Sequence, residues 1–140
     1  MVEADAELGP IDPQMSIRRG DTTVRAPAQA IIDQFEKAQQ LIGANTSRLP
    51  AWMPILQQYG PALYQECLNA ISLSKRYVRE WLSTGMLAGE DPKRRKRIAD
   101  RVVNYLGSHN RFKTHGARVG VTELQSTGLP VELLNDDADL

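Results

Sequence analysis

The chain has little of what cross-links a fold or holds a metal. Its 140 residues include one cysteine, Cys67, and two histidines, His109 and His115. A single cysteine excludes an intramolecular disulfide framework and a multi-cysteine zinc site. Aromatic residues are only 6% of the chain, and few lie among the basic residues, so base stacking on a single strand has no support. No apolar run approaches the ~18 residues of a membrane span. The start, Met1-Val-Glu-Ala-Asp, lacks the basic and apolar regions of a signal peptide. Neither sign of charge is in excess, since 17 Lys and Arg cancel 17 Asp and Glu. That argues against a globally basic nucleic-acid binder, though not against a local basic patch. What remains is ordinary globular composition, 41% hydrophobic and 24% charged, at a length suited to about one domain. The expectation is a soluble, cytoplasmic chain.

The neutrality is a cancellation between blocks. Acids without bases occupy positions 1–15, with Glu3, Asp5, Glu7 and Asp12, and positions 119–140, with Glu123, Glu132, Asp136, Asp137 and Asp139. Bases dominate positions 92–118, where Asp100 is the one acid. Pro10 and Pro13 make the first segment extended, and the polar stretch 16–25 suggests a loop. A helix is expected from Pro27, with Ala28, Ile31, Ile32, Phe35, Ala38 and Ile42 on one face and Gly43 as its cap. Residues 43–54, with Pro50 and Pro54, suggest a connection. Gly60-Pro61 opens the longest helix, whose stripe is Tyr64, Cys67, Leu68, Ile71, Val78, Trp81 and Leu82. Asp91 and Pro92 are the N-cap and first residue of the next helix, which buries Ile98, Val102, Tyr105 and Leu106 and ends at Gly107. Residues 108–118 suggest an ordered loop, Thr122–Thr127 a short helix and Val131–Leu134 a strand. Four helices and two or three short extended pieces result. A stripe as wide as that of the long helix has to be buried. The helices at 27–42 and 92–106 are expected to cover it incompletely, so that the chain either self-associates or behaves as a partly ordered, dye-binding species.

Few residues invite chemistry. Asp91-Pro-Lys-Arg-Arg-Lys-Arg97 is either a solvated helix start or a grip for phosphates or an acidic protein surface. Bases in a first turn oppose the helix dipole by roughly 0.3–1 kcal/mol each, so stability alone would not choose them. His109 and His115 can serve as general bases or ligands, or hold their loop by hydrogen bonds. Ser74-Lys75 and Ser72 interrupt an apolar face, but successive helix positions point ~100° apart and do not form a nucleophile–base pair. Cys67 fits a small core residue better than a nucleophile. Asp12 fits a turn. No metal or cofactor site is expected.

Two strings carry a resemblance. Ala6-Glu-Leu-Gly-Pro-Ile-Asp-Pro-Gln14 resembles the segment after the nucleophile helix in the serine dehydrogenase proteinase family. Ser108-His-Asn-Arg-Phe-Lys-Thr-His-Gly116 with Thr122–Leu129 and Val131 resembles the same family's C-terminal block, and Leu73–Leu82 fits between them. That family is allied to the Clp protease proteolytic subunits (ClpP-class) and signal peptide peptidase A. The resemblance implies an α/β, crotonase-like fold, of which residues 1–140 are the mainly helical C-terminal portion of one peptidase-like domain. It implies a serine peptidase as the full-length parent, a hydrolase of peptide bonds in a family whose members often carry a membrane-anchoring N-terminal segment. The oxyanion glycines and nucleophilic serine lie upstream of Met1 on this reading. No histidine stands between Gly9 and Gln14, where Clp-type members carry theirs, and no carboxylate stands near Ala117, where their acid falls. His115 is the surviving candidate for an active-site-edge residue. The implied partners are a second copy or an upstream peptidase fragment. The alternative is a non-enzymatic helical module that docks an acidic partner, or less readily nucleic acid, through residues 93–97.

Overall fold

The computed structural model describes residues 7–112 and 116–132. These residues are mostly helical, with one two-stranded antiparallel sheet among them. The chain divides into two compact units, one of residues 12–74 and the other of residues 1–11 and 75–140.

The 12–74 unit begins with a hairpin, β1 (Gln14–Arg19) and β2 (Thr22–Pro27), in the register Gln14↔Pro27 to Arg19↔Thr22. This corrects the loop expected over 16–25. A two-residue hairpin turn needs positive φ, and Gly20 supplies it at +57°. Period-two alternation turns Met15 and Ile17 toward the core of the unit, while Gln14, Ser16 and Arg18 stay exposed. Helix α1 (Ala28–Ala44) follows, its first N–H donating to the Pro13 carbonyl at 2.9 Å. Its end lies beyond Gly43: Asn45 is the C-cap and its side chain also accepts from the Ser47 N–H at 3.0 Å. The connection expected over 43–54 is instead a 3₁₀ turn, Thr46–Arg48, and helix α2 (Leu49–Leu56). Pro50 is tolerated because it sits in the first turn, where an N–H would be unpaired. Ala28, Ile31, Ile32, Leu63 and Cys67 form the core, edged by Phe35, Tyr59 and Tyr64. Phe35 meets Tyr59 and Tyr64 with ring centroids 5.3 and 5.5 Å away.

Helix α3 (Leu63–Thr84) contains the boundary between the units at Ser74/Lys75. Only Leu63 and Cys67 on it are buried. Trp81, expected in the stripe, is 66% exposed, and Leu68 is also exposed. The expected stripe therefore exists as a periodicity without being a continuous core.

In the other unit, α4 (Pro92–Leu106) supplies the main core face. Asp91 caps it as expected, accepting from the N–H groups of Lys93 (3.0 Å) and Arg94 (3.2 Å). Ile98, Val102 and Leu106 are buried, joined by Ala99 and Val103, while Tyr105 is half-buried. Leu87, Val119, Val121, Leu124, Leu129 and Val131 close over this face. Residues 109–112 form a single turn, α5 (His109–Phe112), where a loop was expected; four residues are too few to show a period. Helix α6 (Val121–Ser126) is one residue earlier than expected, and Gly128, at φ +89°, follows it. Val131 and Glu132 belong to no strand, and Leu133 and Leu134 lie outside the described residues.

Candidate functional site

The amino-terminal segment is extended, and its placement is the first feature that bears on function. Leu8 and Val119 exchange both backbone hydrogen bonds, at 3.0 and 2.9 Å, as an antiparallel bridge. The Ile11 N–H donates to the Leu106 carbonyl at 2.9 Å, satisfying an acceptor at the open end of α4. Arg118 pairs with Glu7 at 3.0 Å beside the bridge. The segment 7–11 is thus tied to the 105–119 region by backbone contacts.

The most built polar cluster lies beside it, on α4, α5 and α6. The Tyr105 hydroxyl donates to Glu123 Oε1 at 3.0 Å. Arg111 donates to the Tyr105 oxygen at 3.4 Å and lays its guanidinium over the ring at 4.6 Å. Phe112 meets the ring edge-on at 5.7 Å. Glu123 Oε2 accepts from the Gly120 N–H at 3.0 Å and so holds the start of α6. The Gly120 N–H first, then the Tyr105 hydroxyl and the charge of Arg111, hold the Glu123 carboxyl below its ordinary value. A carboxylate so held is ionised near neutral pH. It suits a fixed acceptor and is poorly matched to proton transfer, which needs a pKa near the working pH. Nothing in the sequence pattern flagged this cluster, although Glu123 three residues after Gly120 is the spacing at which a side chain reaches back to a helix N-terminus.

His115 lies outside the described residues, as does the side chain of His109, whose backbone opens α5. Cys67 is fully buried among Ala28, Ile31 and Leu63. Burial first, then the charge of Glu66, pushes its thiol above the ordinary value, which disfavours the thiolate a nucleophile needs. Ser72 is exposed on α3. Lys75 runs instead toward the end of α4: a β-carbon at Gly107 would stand 2.8 Å from its Cε. The lysine stem passes over Gly107, and its ammonium is placed near a helix C-terminus, where a cation is favourable. Asp12 accepts from the Gln14 side chain at 3.0 Å, as a turn aspartate does.

The basic run is divided in its roles. Arg95 is half-buried and donates to the carbonyls of Ala88 (2.8 Å) and Glu90 (3.0 Å), pinning the turn between α3 and α4. Arg94 pairs with Glu90 at 3.3 Å. Treating the whole run as a solvated helix start therefore holds for Lys93, Lys96 and Arg97, which are exposed, and fails for Arg95.

In the 12–74 unit, an apolar hollow of about 520 Å³ is lined by Phe35, Ala38, Gln39, Ile42, Gly43, Leu56 and Tyr64. It lacks the set of converging polar groups that fixes a ligand's orientation. Among the described residues no three His, Cys, Asp or Glu stand close enough to hold a metal ion. No helix among them is long and apolar enough to cross a membrane. Compared with family models, curated proteins and solved structures, the chain finds no match in any of the three.

Proposed function

We propose that this chain is the scaffolding portion of a Clp-type serine peptidase-like protein and does not hydrolyse peptides by itself. One observation supports the reading. Leu8 of the first string is hydrogen-bonded to Val119, about a hundred residues away, which lies between the two parts of the second string. Strings that flank one active site in a crotonase-like domain should be neighbours. On this reading the nucleophilic serine and oxyanion glycines are supplied by residues other than these, and the peptide is a substrate of the whole assembly. Loss of a nucleophile costs several orders of magnitude in rate. The purified chain should therefore neither label with a serine-directed fluorophosphonate probe nor turn over casein. Labelling that disappears when one of its own serines is replaced would overturn the proposal.

The exposed Lys93, Lys96 and Arg97 favour a second reading, a module that docks a polyanion. Three such contacts to duplex DNA would give a slope of about −3 in log affinity against log salt. Binding that ignores salt, or no binding, removes this reading.

A further inference from the structure

We infer that the second half of α3 is the contact surface of a symmetric, antiparallel dimer of this chain. Tyr77 and Trp81 lie one helical turn apart on the same face. They are 42% and 66% exposed, and Met86, just past the helix, is 55% exposed. The two rings stack on each other at 5.9 Å with an 11° interplanar angle. Large aromatics gathered on an open face mark an interaction surface, whereas single exposed apolar residues do not.

The charges beside the rings say what covers them. Arg76 and Glu80 form the adjacent row, also one turn apart and both exposed. The Arg76 guanidinium lies 5.5 Å from the Tyr77 ring. Neither side chain has an ion pair among the described residues. A two-fold axis that makes two α3 helices antiparallel sets this row beside its own reversed copy. Arg76 of each chain then faces Glu80 of the other, and the aromatic rows meet between the two helices. A parallel two-fold would put this row on opposite flanks of the contact in the two chains, where it would not meet its own copy. The row is thus self-complementary in the antiparallel sense alone, and an isologous contact requires that property. The residues involved all belong to the unit that includes 75–140, and the inference does not depend on the peptidase reading.

Sedimentation equilibrium of the full chain over a concentration series tests it. The chain should form a dimer. R76E and E80R should each weaken the dimer by about tenfold, because each creates two like-charge contacts. The double reversal R76E/E80R should return the affinity to within about threefold of the original. W81A should leave only monomer, with the circular dichroism unchanged. A chain that stays monomeric to its solubility limit overturns the inference, as it would if the face served an unlike partner. A dimer indifferent to the single reversals or to W81A, or not restored by the double reversal, overturns it equally. Fluorophosphonate labelling leaves this result untouched, so the two proposals can fail separately.

Discussion

Helices α3 and α4 have similar apolar periodicity and differ in what becomes of it. Along α4, Ile98, Ala99, Val102, Val103 and Leu106 are all buried, and the segments that follow fold back over them. Along α3, Leu63 and Cys67 are buried and the later positions are not. Leu82 is packed against the core of its unit, while Trp81, one residue and ~100° away, is open. A hydrophobic period establishes which residues share a face. Whether the face is closed depends on what the rest of the chain brings to it. For α4 the supply is local: Val119, Val121, Leu124 and Leu129 arrive within 25 residues of its end.

The contrast can be sharpened by substitution. The largest effect is expected on α4, where Ile98→Ala should cost about 2–5 kcal/mol by chemical denaturation, since it empties a filled core site. A loss below about 1 kcal/mol would mean that this face is not closed. Next comes Arg95→Gln, which releases two carbonyls and should cost about 1–2 kcal/mol, while Arg97→Gln should change stability by no more than about 0.5 kcal/mol. Equal effects would show that the basic run is uniform after all. Asp91→Ala should cost about 1 kcal/mol through loss of the N-cap, measurable as a lower melting temperature. A smaller, pH-dependent effect belongs to Glu123. Its carboxyl is lowered in the folded chain, so its contribution is present above the ordinary glutamate value and is lost as the pH falls through the lowered one. Glu123→Gln should flatten the acid limb of the stability profile and leave its alkaline side unchanged in shape.

Much of this architecture can be read from the residues. Asp91-Pro92 and Gly107 bound α4 because capping and proline placement are local chemistry. The hairpin is hidden because Met15 and Ile17 are the only apolar residues of β1, and β2 adds only Ala26 to the core. Gly20-Asp21 between two short runs was the available sign. Helix α2 is hidden because Pro50 in its first turn and Pro54 inside it look like breakers. Arg95 could not be told from Arg97 along a run of bases, since only the returning turn at 88–90 distinguishes them. The Tyr105–Arg111–Glu123 cluster joins three elements, and a linear pattern does not reveal such a meeting.

The smallest expected effect on stability is the most direct test of the contrast between the two helices. Trp81→Ala should be compared with the parent chain by urea unfolding, followed by circular dichroism, at a dilution where both sediment as monomers. An open tryptophan has little to lose, so the unfolding free energy should agree within about 0.5 kcal/mol. A loss of about 3–5 kcal/mol, the cost of deleting a buried tryptophan, would contradict the account and place Trp81 in the core.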